Sequence, residues 1–230
     1  AVLADNTWAA MEGRKALTVR WDEGALASTS SATIRNTFAD LAAKPGAMAR
    51  KEGDAEATLA RAAKKIEAVY EVPYLSHAPM EPMNAVADVR TDGCDVWAGT
   101  QIQTAARDAA ARITGLAAEK VQIHTMYLGG GFGRRGGPDF ISEAVEISKA
   151  AGAPVKLQWT REDDMQHDLY RPASYARFAS TLNGDGLPEA WHVRVACPSF
   201  AGLRNGVDRT GVEGIAEIRY AIPNIQVEYH

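Results

Sequence analysis

Six glycines crowd into nine residues of the segment 127-YLGGGFGRRGGPDF-140, around one phenylalanine and two arginines. Glycine has no Cβ, so a segment of this composition lets a ligand approach the backbone closely. Successive backbone N–H groups in such a loop can bind an anion, and Arg134 and Arg135 could offer charge to a pyrophosphate or to another subunit. The segment therefore predicts a loop that faces a bulky anionic cofactor. A glycine-rich turn that binds nothing is the alternative.

Two nucleotide-binding motifs compete for the same glycines. A P-loop requires Lys followed by Ser or Thr after its last glycine, and this chain has two arginines and a glycine there, which excludes a P-loop. The letters at 131–136 do match G-x-G-x-x-G, the fingerprint of a dinucleotide-binding fold. However, Gly137 and Pro138 separate the glycines from the following helix, and Glu162 and Asp163 lie beyond the expected spacing of about 20 residues. A nucleotide-binding oxidoreductase is therefore a less favoured interpretation.

Regular elements on both sides position this loop. VQIHTMYL at 121–128 is typical of a strand, and DFISEAVEISKAAG at 139–152 carries the apolar stripe of an amphipathic helix. An earlier helix follows the strand-like VWAGTQ. Thr100 and Gln103 have the T-x-x-Q spacing of a capping box at its start, and Gly115 marks its end.

The rest of the chain reads as a mixture of helices and strands. We expect a strand, a helix capped by Asn6 or Asp5 and a second strand within the first 21 residues. Residues 23–60 lose periodicity and predict a long connector with a possible short helix at 31–42. The later predictions are a helix at 56–68, strands at 68–75, 84–91 and 155–160, a β-hairpin of 174–182 and 189–196 around the turn 183-NGDG-186, and a last strand near 218–229.

Length and composition are those of an ordinary globular protein. The chain has 230 residues, 46% hydrophobic and 23% charged, and a net charge of -4, which argues against a general nucleic-acid binder. No run of 18 apolar residues predicts a membrane span. We expect Cys94 and Cys197 to be ordinary buried cysteines, and two thiols are too few for an iron–sulfur cluster of the chain's own. The chain begins without Met, so we expect a piece of a longer protein.

Several other polar residues could do chemistry, and for each we favour a structural role. The run 161–171 packs Asp, His, Tyr and Arg together, which is more typical of a solvated or structural loop than of a catalytic centre. His77 and Glu81 could bind a metal, but the prolines at 79 and 82 rule out a helix of the HExxH type, so a packed turn is expected. His124 and His192 lie in predicted strands as isolated, structural imidazoles.

Three motifs in order, 77-HAPMEPM-83, Thr100-Gln101 and 129-GGGFGRR-135, resemble the large molybdopterin-binding subunit of the xanthine dehydrogenase and aldehyde oxidoreductase family. The run 159-WTREDDMQHDLYRPA-173 is similar to the isoquinoline 1-oxidoreductase β-subunit branch. The resemblance extends over the whole chain. It implies a molybdenum hydroxylase that oxidises an aldehyde or an N-heteroaromatic substrate with oxygen derived from water.

The resemblance also implies a fold and partners. We expect an α+β chain in which residues 1–25 end an α/β hammerhead domain, 26–55 form a connector, and 56–230 form the first half of the molybdenum-cofactor-binding domain. The implied cofactor is molybdopterin or its cytosine dinucleotide form. The implied partners are the remainder of the large subunit, a small subunit that carries the 2Fe-2S clusters, and a small-molecule substrate, with no nucleic acid.

Positions that match the family's motifs are the predicted site. Gln101 matches a glutamine that contacts a molybdenum ligand, and Gly131 and Phe132 match a pair whose backbone reaches an apical oxygen of the metal; without the resemblance, Phe132 would read as a core residue. Gly130, Gly133 and Arg134 are expected to contact the cofactor from the same loop. Many relatives have glycine and lysine where this chain has Arg134 and Arg135.

The family's general base, a glutamate in a glycine-rich motif, has no counterpart in these residues. General-base help makes a metal-bound hydroxide nucleophilic, so we predict no catalytic residue in this chain and no turnover by the chain alone. The alternative from another class is a non-catalytic scaffold or assembly module, in which the glycine loop is a subunit contact.

Overall fold

The computed structural model describes all 230 residues. Six α-helices are α1 Thr7–Lys15, α2 Ser31–Ala42, α3 Ala55–Arg61, α4 Gln103–Thr114, α5 Asp139–Ala151 and α6 Arg161–Gln166. Nine strands are β1 Ala47–Glu52, β2 Ile66–Val72, β3 Asn84–Val89, β4 Cys94–Ala98, β5 Val121–Thr125, β6 Val155–Gln158, β7 Ser174–Leu182, β8 Pro188–Ala196 and β9 Asn224–Tyr229. No helix is both long enough and apolar enough to span a bilayer.

Two compact units share the chain, and each is made of two segments. The first unit contains residues 1–22 and 76–170, and the second contains residues 23–75 and 171–230. Each unit combines one sheet of mixed strand direction with helices, which confirms the predicted α+β class. The predicted domain boundaries at 25 and 55 stay a prediction.

The first unit is built on a four-stranded sheet in the order β5-β4-β3-β6. Strand β3 is antiparallel to both of its neighbours, whereas β4 and β5 are parallel and are joined through α4. Because the carboxyl ends of parallel strands lie at the same edge of a sheet, the loop that follows β4 and the loop that follows β5 emerge side by side. This connection brings Thr100 and Gln101 next to the glycine loop, although they are about 30 positions apart in the chain.

Helices α4 and α5 pack against this sheet and against each other through small and branched side chains. Phe140 and Ile141 at the start of α5 and Val96 in β4 are fully buried, and Ala106 of α4 lies among them. Burying a side chain of this kind stabilises the fold by roughly 1.5–3 kcal/mol. The start of α5, which follows the glycine loop, is therefore firmly anchored in the core.

The second unit is built on a five-stranded sheet in the order β1-β9-β8-β7-β2. The pair β8 and β9 is parallel and the other pairs are antiparallel. The predicted hairpin is confirmed as β7 and β8, and Asn183 Oδ1 in its turn accepts hydrogen bonds from the N–H groups of Asp185 and Leu187. The core of this unit is formed by apolar residues of β8, β9 and the segment before β9, among them Val193, Val212 and Ile225.

Several predicted elements differ from the structure, because strands form only where another strand pairs with them. The strands expected at 2–5 and 18–21 do not form, although α1 between them does, with Asn6 Oδ1 accepting from the Ala9 N–H at 2.9 Å. The helix expected over 56–68 ends at Arg61, because the residues from Ile66 onward pair with β7. A strand is stable only with a neighbour to complete its ladder, and this requirement outweighs local helix propensity at 66–68.

The stretch predicted as a connector contains regular structure. The short helix expected at 31–42 is confirmed as α2, with the Ser30 side chain accepting from the Thr33 N–H. Residues 47–52 form β1, an edge strand paired with β9, which periodicity did not predict. The expected capping box of α4 is wrong: the helix begins at Gln103, and the Thr100 hydroxyl instead donates to the carbonyl of Arg135.

Candidate functional site

The glycine loop runs from the end of β5 to the start of α5 and has an unusual backbone. Gly130 and Gly133 have φ angles of +95° and +99°, and Phe132 between them has a φ of +54°. A left-handed conformation costs little for glycine but roughly 1–3 kcal/mol for another residue, so the structure holds Phe132 there under strain. Strain of this kind is concentrated at binding sites. The Phe132 side chain is 63% exposed, so it is not the core residue that its composition alone would suggest.

The side chain of Gln101 is hydrogen-bonded to the backbone of the glycine loop. Its Oε1 accepts hydrogen bonds from the backbone N–H groups of Gly133 and Arg135, each at 3.2 Å. Two donors on one oxygen fix which way the amide points, and the Nε2 group is left without an acceptor in the chain. The N–H of Gly131 also donates to no acceptor in the chain.

Gly131 lies directly against this amide. A Cβ at residue 131 would come within 2.7 Å of Gln101 Oε1, which is closer than real Cβ contacts. Its φ is not in the left-handed region, so the need for glycine here is a matter of space rather than of backbone conformation. Two predicted site residues, Gln101 and Gly131, are thus brought together by the fold and leave two hydrogen-bond donors without acceptors.

Both arginines of the loop turn inward. The Arg134 side chain is completely buried, donates to both carboxylate oxygens of Asp139 at 2.8 and 2.7 Å, and lies with Nε 2.6 Å from Asp168 Oδ1 as an ion pair without a well-aligned hydrogen bond. Burial alone would lower the pKa of Arg134, but Asp139 and the other nearby carboxylates raise it above its ordinary value. The expectation that this guanidinium offers charge to a ligand is therefore wrong for the side chain.

Arg135 holds the loop to its surroundings. Its guanidinium donates to the carbonyl oxygens of Gly130, Gly99 and Glu81 and to the Glu81 carboxylate, at distances of 2.8 to 3.3 Å. These partners come from three loops, so one buried side chain fixes all three. The Arg135 side chain is buried behind the loop, so its role is to hold the loop in place and not to contact a ligand.

The segment 76–83 lies against the glycine loop as the expected packed turn. Glu81 accepts hydrogen bonds from the Gly129 N–H at 2.7 Å and from Asn84, and it pairs with Arg135. Burial raises the pKa of Glu81, but these hydrogen bonds and the arginine outweigh it and hold the pKa below its usual value. His77 Nδ1 lies 3.0 Å from Asp168 Oδ2. His77 and Glu81 thus each bond to a different partner, Asp168 and Arg135 respectively.

The polar run 161–171 is structural, as we expected. Its first part forms α6, capped by Thr160, and Asp164 in that helix is buried and accepts from Arg161 at 2.6 Å. Burial raises the pKa of Asp164 above its ordinary value. Asp168 is also buried and contacts both His77 and Arg134. Sequence reasoning did not identify Asp168 and Asp139 as partners of the buried Arg134. The available signal was the pair of consecutive arginines in a sequence that has several aspartates nearby.

The histidines predicted to be isolated are paired. His124 Nε2 lies 2.7 Å from Asp95, and its ring stacks on Trp97 at 4.7 Å. In the second unit, His192 Nε2 lies 2.6 Å from Glu228. The prediction of isolation was wrong because strand register, which sequence alone did not give, places a carboxylate beside each ring. Cys94 and Cys197 are free and buried, as predicted.

A Glu56, His192 and Glu228 cluster in the second unit has ligand atoms within 4.8 Å of one another. Arg194 already occupies this position, with Nε 3.2 Å from Glu228 and a terminal nitrogen 3.4 Å from Glu56. A guanidinium at that place neutralises the carboxylates that a cation would need. This cluster therefore reads as a structural network.

The arrangement around the glycine loop can hold an electron-rich group. Donors from Gln101 and Gly131 suit an oxygen acceptor, and the missing Cβ at residue 131 lets the Gln101 amide pack directly against that backbone. The two buried guanidinium groups are paired with carboxylates and hold the loop in this shape. The geometry around Gln101 and Gly131 supports the binding of such a group.

Comparisons with known proteins show the family to which this chain belongs. The family described as the molybdopterin cofactor-binding domain matches residues 38–230. The β subunit of isoquinoline 1-oxidoreductase from Brevundimonas diminuta is 34% identical over 211 residues, which are 87% of this chain and 27% of that protein. A membrane-bound aldehyde dehydrogenase (pyrroloquinoline-quinone) from Gluconacetobacter polyoxogenes is 32% identical over 96% of this chain and 29% of that protein.

Solved structures show the same fold. Quinoline 2-oxidoreductase from Pseudomonas putida 86 matches 90% of this chain and 27% of its own chain with a TM-score of 0.67 at 19% identity. An aldehyde oxidoreductase from Desulfovibrio gigas matches 77% of this chain and 20% of its own chain with a TM-score of 0.66 at 22% identity. The chain spans between a quarter and a third of the length of the curated relatives described above.

Proposed function

Because the chain belongs to the molybdopterin cofactor-binding family of the xanthine dehydrogenase and aldehyde oxidoreductase enzymes, we propose that it forms one side of a molybdenum-cofactor site in a larger oxidoreductase. The substrate class of that enzyme is an aldehyde or an N-heteroaromatic compound, as the names of the similar isoquinoline and aldehyde enzymes suggest. The motifs at 77–83, 100–101 and 129–135 are the residues on which the resemblance to this family was based.

The observation that carries this proposal is the pair of donors that have no acceptor in the chain. Gln101 Nε2 and the Gly131 N–H lie where residue 131 has no Cβ, and a Cβ there would overlap the Gln101 amide and displace it. Residue 131 is buried, so its N–H costs free energy without an acceptor, and the exposed Gln101 amide beside it remains available to the same ligand. The oxygen ligands of a molybdenum cofactor are acceptors of the required kind, so the residues fit the group.

When it is bound, the cofactor supplies the two-electron chemistry that hydroxylates the substrate with oxygen from water. The residues of this chain bind and orient it. Gln101 and Gly131 would donate hydrogen bonds to its oxygen ligands, and the strained backbone of Phe132 would hold that part of the loop against it. Gly130 and Gly133 provide the left-handed turns that shape the loop. The contribution of Arg134 is limited to its backbone and its buried charge.

The working enzyme in this proposal needs more than these residues. The remainder of the large subunit provides the general-base glutamate and the other contacts to the pterin, which is bound as molybdopterin or its cytosine dinucleotide form. A small subunit with 2Fe-2S clusters removes the electrons. The isolated 230-residue chain therefore has no hydroxylase activity, and measurable turnover by it would refute this part of the proposal.

Molybdenum and pterin content of the full-length subunit, purified with its iron–sulfur partner, tests the proposal. We expect both in the wild type, whereas a non-catalytic scaffold would contain neither, and a quinone enzyme of the kind named for the second relative would release a quinone instead.

Gln101→Ala removes the Nε2 donor and the acceptor for two loop amides, so we expect molybdenum content to fall at least about tenfold. Gln103→Ala, two residues along at the exposed start of α4, is the matched control and should retain it.

A further inference from the structure

His77 is an oriented imidazole close to the glycine loop. Its side chain is only 11% exposed, and its Nδ1 lies 3.0 Å from Asp168 Oδ2, an oxygen that also accepts from the His77 backbone N–H. The Asp168 side chain is 1% exposed and forms an ion pair with Arg134. Burial raises the pKa of Asp168, but hydrogen bonds from His77 and Ser76 outweigh it and hold the pKa below its usual value. The ring is therefore held in one orientation by an ionised carboxylate.

The other ring nitrogen faces the loop. In the tautomer that donates Nδ1–H to Asp168, Nε2 carries the lone pair, and it has no partner in the chain. A Cβ built on Gly133 would lie 3.9 Å from this nitrogen, and no other atom outside the immediate chain neighbours lies within 4 Å of that position. Nε2 and the open face of Gly133 thus border the same small space.

Backbone strain marks this side of the site as well. Ala78, directly after His77, has a φ of +42°, which is rare for a residue other than glycine. In the first unit only Ala78 and Phe132 adopt such a conformation without being glycine; Ala78 lies in the segment 76–83 and Phe132 lies in the glycine loop itself. A Cβ on Gly130 would approach both Phe132 and Pro79, which places these segments against each other. Strain is thus stored on both sides of one space.

We propose that His77 is a ligand-binding residue of the glycine-loop site, whose Nε2 accepts a hydrogen bond from an N–H or O–H group of the ligand that lies against Gly133. This inference rests on the proposed function and adds a third side to the site, next to Gln101 and Gly131. The site then offers two donors and one acceptor. The group that donates to Nε2 belongs either to the cofactor or to the substrate, and the two sources have different consequences.

Two substitutions separate this role from a structural one. In the full-length holoenzyme, His77→Asn keeps an amide N–H at the position of Nδ1 and so keeps the bond to Asp168, but it removes the group at Nε2. His77→Gln places an amide at the position of Nε2 and gives up the bond to Asp168. We measure molybdenum content, the KM of a substrate that the enzyme turns over, and the melting temperature of both variants.

A hydrogen bond is worth about 1 kcal/mol, or about fivefold in affinity. If the cofactor donates to Nε2, His77→Asn lowers molybdenum content about fivefold; if the substrate donates, KM rises about fivefold at unchanged kcat and unchanged molybdenum content. In either case the molybdenum content or the KM of His77→Gln, whichever changed in His77→Asn, stays closer to the wild-type value. The melting temperature of His77→Gln is nevertheless lower than that of the wild type, because the bond to Asp168 is lost. The opposite order, with His77→Asn equal to the wild type in content and KM, would overturn the inference and leave the proposed function intact. A wild type without molybdenum would overturn both.

Discussion

Two buried ion networks of the chain look alike in composition and differ in how they are built. The loop network consists of His77, Asp168, Arg134 and Asp139 in the first unit, and the sheet network consists of His192, Glu228, Arg194 and Gln226 in the second. Each pairs a histidine with a carboxylate that is at most 2% exposed and sets an arginine against the same carboxylate.

The sheet network rests on regular strands. His192 lies opposite Gln226 and Arg194 lies opposite Glu228 in the parallel pair of β8 and β9. The Glu228 carboxylate accepts from the backbone N–H of Gly46 and from the three neighbouring side chains, so its hydrogen-bonding capacity is well used. Nothing in its backbone is strained.

The loop network rests on loops, two of which contain a non-glycine residue in the left-handed region. Around it, His77 Nε2, Gln101 Nε2 and the Gly131 N–H have no partner in the chain. The comparison teaches that a buried histidine–carboxylate–arginine cluster is not evidence of function by itself. Function is indicated where the cluster supports strained backbone and polar groups that remain available to a ligand.

Removing the arginine from each network should give the largest difference. Arg134→Leu leaves Asp139 and the buried Asp168 without their cation, and breaking a buried pair in this way costs about 3–5 kcal/mol. Arg194→Leu should cost about 1 kcal/mol, because Glu228 keeps three other donors and the Arg194 side chain is 18% exposed. Urea unfolding of the two variants, followed by circular dichroism, measures both costs. Equal losses would remove the distinction between the networks.

Acid should weaken the sheet network within a defined range. Burial alone would raise the pKa of Glu228, but hydrogen bonds from Gln226, Gly46 and His192 and the charge of Arg194 lower it from 4.5 to about 2. A carboxylate with a lowered pKa in the folded state stabilises the fold above pH 4.5, and this stabilisation is lost as the pH falls towards 2. The loss amounts to about 3 kcal/mol.

Glu228→Gln tests that pH dependence directly. The variant lacks the titrating group, so its free energy of unfolding should fall less steeply than that of the wild type between pH 4.5 and pH 2. The difference between the two slopes is the quantity to measure in urea titrations at several pH values. Parallel curves would show that Glu228 does not titrate in this range.

The smallest expected effect concerns the helix that leads to the loop network. Thr160 caps α6, which is followed by Asp168, and its hydroxyl oxygen accepts from the Asp163 N–H at 3.2 Å. Thr160→Ala should lower the free energy of unfolding by about 1 kcal/mol. Thr37→Ala, the same substitution inside the exposed helix α2, is the control and should cost nothing, since alanine has the higher helix propensity. A cost as large as that of Thr160→Ala in the control would show that capping is not the cause.

The sequence predicted the parts of the fold that have local signals. The hairpin β7–β8 was marked by its turn 183–186, and α5 was marked by its apolar stripe, and both formed where expected. Strand β1 and the early end of α3 were not predicted, because they depend on pairing with β9 and β7, far along the chain. Residues in the glycine loop were recognised from their composition, and their juxtaposition with Gln101 followed from the parallel strands β4 and β5.

The direction of side chains was the least predictable property of the site. Arg134 reads as a cation for a ligand when only its neighbours in sequence are known, and it turns inward because Asp139 and Asp168 compete for it. Asp168 is 34 positions away, and no local pattern connects the two residues. For the same reason His77 appeared to be only part of a packed turn. Its role depends on which nitrogen Asp168 engages, and that is a property of the folded chain.

The central claim is that the glycine loop lies against a molybdenum cofactor, and the molybdenum content of two alanine variants of the full-length subunit tests it most directly. Gly131→Ala places a Cβ within 2.7 Å of Gln101 Oε1, whereas Gly136→Ala in the same loop meets only the flexible end of Ile102 at 3.4 Å. We predict that Gly136→Ala retains molybdenum at the wild-type level and that Gly131→Ala loses at least about tenfold. Equal molybdenum content in the wild type and both variants would contradict the account.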